Sequence, residues 1–113
     1  MTKPKIYIAC PYSKGDVAKN VKTACDMFDR LHLHGYVPFN PLWSHFQHFA
    51  HPLPYDAWLA YDLEWLPLCD AVLRLEGESN GADIEVAKAT ELGIPVFYSI
   101  ADLDKHFNVN QWW

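Results

Sequence analysis

Short apolar runs alternate with amphipathic stretches along the chain. The run KIYIAC at 5–10 is rich in β-branched and aromatic residues and is closed by Pro11, which predicts a strand followed by a loop. Gly35 marks the end of the next stretch, so we expect a helix of about 18 residues before it. Apolar residues recur in that stretch at spacings of three and four, as one face of a helix requires, at Val17, Val21, Ala24, Phe28 and Leu31.

Three more strands and two more helices are expected downstream. Residues 40–54 are aromatic, histidine-rich and bounded by prolines, so we expect a long loop or lid there. The tail at 101–113 is expected to form one helical turn and then to carry Trp112 and Trp113 onto the protein's own surface or a partner's. The remaining patterns predict strands at 36–39, 69–75 and 94–99, and helices at 55–66 and 81–92.

This alternation of strands and helices predicts the α/β class. The strands read as continuous apolar runs, which indicates a parallel sheet covered by helices on both faces. We therefore expect one domain over residues 1–113, a small three-layer sandwich of the flavodoxin-like or Rossmann-like type with about four strands. Ligands of such sheets bind at the carboxyl ends of the strands, where the loops 11–16, 40–54 and 76–80 would meet.

The charge balance bears on the class of partner. The net charge is −5, and nine Lys and Arg are spread thinly, which argues against a nucleic acid polymer as partner. No run approaches the ~20 apolar residues of a membrane helix, and the first residues lack the pattern of a signal peptide. We expect a cytoplasmic protein without membrane association that binds a small molecule.

The three cysteines are an odd number without C-x-x-C spacing. Cys10, Cys25 and Cys69 lie in apolar contexts, so we expect reduced, buried side chains. Cys10 follows the first strand and is a possible nucleophile, but no neighbour in the sequence would activate it. A Ser–His–Asp triad stays open, although no G-x-S-x-G turn marks a serine.

The first loop, P-Y-S-K-G-D at 11–16, has two interpretations. Ser13 and Lys14 are suitable phosphate contacts ahead of a helix N-terminus. The loop matches neither the Walker A pattern nor G-x-G-x-x-G. The alternative is an ordinary turn in which Asp16 caps the helix, and the loop alone favours that alternative.

Asp62 and Glu85 differ from the solvated carboxylates that are usual on surface helices. Asp62 and Glu64 are two apart on a helix, so one should face the crevice and the other solvent; Asp62 is favoured by its frame, D-x-x-W-L. Glu85 is surrounded at helical spacing by small residues, including Gly81, which leaves room for a ligand. A carboxylate that merely complements the helix dipole is the alternative for Glu85, and we favour the functional interpretation.

The histidines of the lid are spaced by three. His45, His48 and His51 leave metal coordination open, but no Cys or carboxylate joins them at zinc spacings. Pro52 and Pro54 also prevent one continuous helix. Packing, or stacking on a ligand's ring, is therefore favoured over a metal site.

Four segments together resemble the nucleoside 2-deoxyribosyltransferase superfamily. They cover nearly the whole chain in order and spacing: IYIACPYS at 6–13, DLEWL at 62–66, CDAVLRL at 69–75 and SNGADIE at 79–85. The chain is most similar to the 2′-deoxynucleoside 5′-phosphate N-hydrolases, in which D-x-x-W-L and S-x-G-x-x-x-E recur. Its PYS and WLAYD segments also resemble a small bacterial and phage branch of the superfamily.

The resemblance implies roles for individual residues. Glu85 would attack or stabilise the anomeric carbon, Asp62 would assist departure of the base, and Tyr7 would position Glu85. Ser79 would meet a 5′-phosphate, and the lid aromatics Trp43, Phe46 and Phe49 would stack on the base. No metal or cofactor is expected. The full set of expected substrate-binding residues is Pro11, Tyr12, Ser13, Lys14, Trp43, His45, Ser79, Asn80 and Gly81.

The expected function is cleavage of the N-glycosidic bond of a 2′-deoxynucleoside or its 5′-monophosphate, with release or transfer of the base. One alternative is a catalytically inactive nucleotide-binding or sensing module of the same fold. Another is an interaction protein that uses Trp112 and Trp113. The first loop departs from the glycine- and arginine-containing loop of the nucleotide hydrolases, which leaves phosphate recognition open, and Ser79 and Lys14 favour hydrolysis of the nucleotide. The resemblance also implies a homodimer or larger homo-oligomer.

Overall fold

A four-stranded parallel sheet forms the centre of the protein. The computed structural model describes residues 2–107. The strands lie in the order β2-β1-β3-β4, so β1 and β3 are central. In the register, Tyr7 of β1 pairs with Phe39 on one side and with Val72 on the other. The predicted α/β class with a parallel sheet is confirmed. The strands are β1 Lys5–Ala9, β2 Val37–Phe39, β3 Ala71–Arg74 and β4 Val96–Phe97.

Within residues 2–107, five α-helices connect and flank the strands. Two of them differ from expectation: α2 occupies part of the lid that the proline-bounded pattern predicted as a loop, and α5 is longer than the single turn expected. Trp112 and Trp113 lie outside the described residues, and the homo-oligomer stays a prediction. The helices are α1 Val17–Leu33, α2 Ser44–Ala50, α3 Tyr55–Trp65, α4 Asn80–Glu91 and α5 Ile100–Phe107, with 3₁₀ turns at Pro41–Trp43 and Leu66–Leu68.

The helices that follow β1 and β3 begin at side-chain caps. The carboxylate of Asp16 accepts a hydrogen bond of 3.2 Å from the backbone N–H of Lys19, so the first loop does end in the ordinary cap that its sequence favoured. The hydroxyl of Ser79 accepts a bond of 3.1 Å from the N–H of Ala82. These caps fix where α1 and α4 leave the edge of the sheet.

The sheet is buried on both faces. Side chains alternate along β1, so Ile6 and Ile8 join the core beneath α1 and α5. Tyr7 and Ala9 point to the opposite face, where they pack with Ala82 of α4. Tyr7 is completely buried. The alternation thus aims its ring at the helix that carries Glu85.

The three cysteines occupy different environments. Cys10 is buried, Cys69 is half-buried and Cys25 is exposed, and none forms a disulfide. The expectation that all three are buried is wrong for Cys25, because it follows the buried Ala24 and turns off the apolar face of α1. Within residues 2–107, no helix is both long enough and apolar enough to span a membrane.

Candidate active site

A cavity of about 640 Å³ opens at the carboxyl ends of the strands. Its walls come from the segments that follow β1, β2 and β3, and from α3 and α4. This is the edge where parallel sheets usually bind ligands. Its volume lies within the range of small-molecule sites, roughly 300–1,000 Å³. The position agrees with the place that the loop pattern predicted.

Glu85 is buried at the floor of the cavity. Glu85 is only 5% exposed, and the hydroxyl of Tyr7 donates a hydrogen bond to its Oε2 atom. Burial raises the pKa of Glu85 to about 8, although the hydrogen bond from Tyr7 lowers it. Burial also raises the pKa of Tyr7 far above its ordinary value. Tyr7 therefore stays protonated and acts as a donor that orients the carboxylate.

Asp62 faces the same cavity from α3. Its Oδ1 atom is buried and has no hydrogen-bond partner in the part of the chain that the structure describes. Burial raises the pKa of Asp62 to about 7. Glu64, two residues further on, is exposed. Of this pair, the acid predicted to face the crevice does so.

Asp62 and Glu85 form one electrostatic unit, which with Tyr7 we call the acid floor. The charge of Asp62 contributes to the raised pKa of Glu85, and Arg74 opposes it. Burial favours the proton on Glu85, the more deeply buried acid. The hydrogen bond from Tyr7 to Glu85 favours the proton on Asp62, whose Oδ1 atom has no such donor among residues 2–107. The pKa of Asp62 is raised to about 7 and that of Glu85 to about 8, so between these pH values the pair holds one proton between two carboxyl groups.

Contacts between polar side chains cross the mouth of the cavity. The Tyr12 hydroxyl lies 2.6 Å from Nδ1 of His45 and joins the first loop to α2. Lys14 Nζ lies 3.7 Å from Glu78 Oε1 and joins that loop to the segment after β3. The side chains of this second pair are 64% and 81% exposed. We call these four residues the polar rim.

The three lid histidines have separate surroundings. His48 Nδ1 accepts hydrogen bonds from Trp58 Nε1, at 2.8 Å, and from the backbone N–H of Leu53, at 3.2 Å. His45 bonds to the first loop, and His51 is exposed at the end of α2. Across residues 2–107, no group of three or more metal-ligating side chains is placed to hold an ion. His45 and His48 are thus engaged in contacts that shape the lid.

Most residues expected to bind substrate line the cavity, and two do not. Pro11 instead packs against Gly77, where an added Cβ would lie 2.8 Å from its Cγ. Trp43 packs on Phe28 with ring centroids 4.8 Å apart, because the 3₁₀ turn directs it to α1. The lid aromatics Phe46 and Phe49 do not line the cavity either, and they are exposed. Those that do line it are Tyr12, Ser13, Lys14, His45, Ser79, Asn80 and Gly81.

Three residues of α3 that line the cavity beside Asp62 were not predicted from the sequence. Tyr55, Trp58 and Leu59 line the cavity together with Asp62. Their spacing of three, four and seven marks one face of a helix, a signal that was present in the sequence. Cys10 also lines the cavity, and burial raises the pKa of its thiol to about 12, which keeps it protonated.

Comparisons with known proteins agree with the fold. A family model described as a domain of unknown function, DUF7768, matches residues 4–99. No curated protein matches the chain. Among solved structures, the chain is similar to the 2-deoxyribosyltransferase of the psychrotolerant bacterium Bacillus psychrosaccharolyticus, with a TM-score of 0.59 and 22% identity. The match covers 81% of this chain and 69% of that one. This similarity agrees with the α/β fold expected from the sequence.

Proposed function

The chain belongs to the DUF7768 family, a domain of unknown function, and we propose that it cleaves the N-glycosidic bond of a 2′-deoxynucleoside. One observation carries the proposal: the carboxyl groups of buried Glu85 and half-buried Asp62 face one small-molecule cavity in different hydrogen-bonding environments. Glycosidic cleavage uses such a pair, one as an anion beneath the sugar and one as an acid beside the leaving group. The similarity to a 2-deoxyribosyltransferase structure supports the choice of sugar.

The first step forms a covalent intermediate. A carboxylate oxygen of Glu85 attacks C1′ of the sugar from the face opposite the base. The bond from C1′ to the base nitrogen breaks, and its electron pair leaves with the base. Asp62 donates its proton to the departing base and becomes a carboxylate. Glu85 is then esterified to the deoxyribose, while the Tyr7 hydroxyl continues to orient its side chain.

The second step returns Glu85 to a free carboxylate and Asp62 to its protonated form. Water, or a second base, attacks C1′ and displaces Glu85 as a carboxylate. Asp62 accepts the proton that the attacking group loses. Positive charge develops on the sugar in the transition state of both steps, and the ionised carboxylate of Glu85 stabilises it there. Hydrolysis and base transfer therefore share one site and differ only in the acceptor.

The charges around the cavity favour an uncharged sugar substituent over a phosphate. Glu78 lines the cavity together with Asp62 and Glu85, and the ammonium of Lys14 already lies 3.7 Å from Glu78. Asp83 also lines the cavity, where its carboxylate lies 3.1 Å from the guanidinium of Arg74. A dianionic phosphate would meet more negative than positive groups. We therefore place the deoxynucleoside first. The 5′-monophosphate is the second candidate, supported by Lys14 and by Ser79 at the N-terminus of α4.

Base release from a substrate panel tests this function. The four common 2′-deoxynucleosides and their 5′-monophosphates are incubated with the protein, with and without a second free base, and products are separated by chromatography. We expect free base from at least one nucleoside, and a new nucleoside if transfer occurs. Thermal stabilisation by these compounds without any base release would contradict the proposal and would favour the inactive binding module.

A further inference from the structure

Tyr55 stands beside the acid floor without a role in the chemistry described above. A Cβ placed on Gly81 would lie 2.8 Å from the Tyr55 hydroxyl oxygen, so the tyrosine occupies space that only a glycine leaves free. Gly81, one turn before Glu85, therefore leaves room for the Tyr55 hydroxyl as well as for a ligand. Tyr55 lines the cavity and is 52% exposed, so its hydroxyl can also meet a bound molecule.

Helix geometry separates Tyr55 from Asp62, the general acid of the proposed reaction. Tyr55 and Asp62 are seven residues apart, on one face of α3, with a rise of about 10 Å between them. Gly81 and Glu85 are four apart and are neighbours on one face of α4. The Tyr55 hydroxyl therefore lies one helical turn from Glu85, while Asp62 is the group near the base.

Sugar stereochemistry connects this position to one substrate group. In a β-nucleoside, the base stands on one face of the ring and the 3′-hydroxyl points to the other. Glu85 has to approach C1′ from the face opposite the base, which is the face of the 3′-hydroxyl. A polar group one turn from Glu85 on that approach side is placed to meet this hydroxyl. Burial and the charge of Glu85 raise the pKa of Tyr55, which keeps it a donor.

From this geometry we propose that Tyr55 is a specificity-determining residue whose hydroxyl hydrogen-bonds the 3′-hydroxyl of the sugar. The inference rests on the proposed function, since it takes Glu85 as the group beneath C1′. It assigns sugar recognition to α3, in addition to the general acid on the same helix. It also gives Gly81 a reason to lack a side chain, because any Cβ would displace the Tyr55 hydroxyl.

A binding cycle between Tyr55 and the 3′-hydroxyl tests the assignment. All proteins carry Glu85→Gln, so that no substrate is consumed. Affinities for the four common 2′-deoxynucleosides and their 2′,3′-dideoxy analogues are measured by calorimetry, with Tyr55 and with Tyr55→Phe. We expect the 3′-hydroxyl to strengthen binding roughly three- to ten-fold with Tyr55 and less than about two-fold with Phe. Tyr61→Phe is the matched control, since Tyr61 is 50% exposed on the same helix and does not line the cavity.

The possible outcomes separate this inference from the proposed function. An unchanged ratio in Tyr55→Phe, an equal change in Tyr61→Phe, or no binding of any pair to the Tyr55 protein would overturn the inference. If the ratio falls as expected but the wild-type protein releases no base, the assignment of Tyr55 stands and the proposed reaction fails. If base is released and the ratio does not change, the reaction stands and the assignment fails.

Discussion

The two carboxyl groups of the acid floor and the residues of the polar rim face the same cavity but differ in how they are held. Glu85, Asp62 and Tyr7 lie on α4, α3 and β1, and Glu85 is only 5% exposed. At the rim, the Lys14 side chain is 64% exposed and sits on a loop. Buried carboxyl groups reduce stability unless they are fully paired, whereas exposed ion pairs contribute little. The acid floor therefore lowers stability, which a function in the cavity would explain. Substitutions in the polar rim should leave the fold intact.

Replacing Asp62 should slow the release of bases that need protonation more than the release of bases that do not. Asp62→Asn removes the proton donor, and we expect the rate of base release to fall by about 10²- to 10⁴-fold. The loss should be much smaller for 7-methyl-2′-deoxyguanosine, whose cationic base departs without protonation. Single-turnover rates on both substrates measure this difference. An equal loss on both would mean that Asp62 is not the general acid.

The pH profile should reveal a pair that works with one proton. The pKa of Asp62 is raised to about 7 and that of Glu85 to about 8, and the proposed reaction uses the form in which Glu85 is ionised and Asp62 is protonated. We expect kcat/KM to peak between these values and to fall about tenfold per pH unit on either side. Asp62→Asn, assayed on the 7-methylated substrate, should keep the acidic limb and lose the alkaline one. A flat profile from pH 5 to 9 would contradict the shared proton.

Stability measurements should show how much the buried carboxyl group of Glu85 lowers the free energy of unfolding. The pKa of Glu85 rises from an ordinary 4.5 to about 8 on folding, so the folded state binds this proton more tightly than the unfolded state. Glu85 thus reduces the free energy of unfolding progressively as pH rises through that window. Glu85→Gln should be more stable than wild type by about 1–2 kcal/mol at pH 8, with a smaller gain at pH 5, measured by urea unfolding. A loss of stability at both pH values would show that the carboxylate is structural.

Changes at the rim should have the smallest effects. Tyr12→Phe removes the 2.6 Å contact with His45 between the first loop and α2. We expect KM to rise by about two- to five-fold, because one neutral hydrogen bond is lost, with kcat nearly unchanged. Steady-state kinetics measure the split, and Tyr61→Phe is the control. A large fall in kcat would move Tyr12 from the rim into the catalytic group.

The sequence supported prediction of the sheet and the position of the floor. The apolar run of β1 and the Asp16 cap of α1 are local signals that the sequence analysis named, and both recur in the structure. Parallel pairing then brings the ends of β1 and β3 to one edge. The contact of Tyr7 with Glu85 spans 78 residues of sequence, and only the family resemblance suggested it.

The lid was harder to predict because its helix lacks local signals. Helix α2 has seven residues, no side-chain cap and no fully buried residue. Its aromatic residues gave no periodicity that distinguishes helix from loop. Trp43 was expected to meet a base, but tertiary packing on Phe28 decides its direction. Tyr55 was missed although its spacing from Asp62 marks one face of α3, whereas its contact with Gly81 of α4 has no local signal in the sequence.

Glu85 is the centre of the proposed reaction, so the most direct test compares wild type with Glu85→Gln on the best nucleoside of the panel. Base release is followed by chromatography under single-turnover conditions, and nucleoside binding is measured by calorimetry on the same preparations. We expect release to fall by about 10⁴-fold or more while binding changes by less than about tenfold. Release by Glu85→Gln within tenfold of wild type would contradict the assignment of Glu85 as the nucleophile.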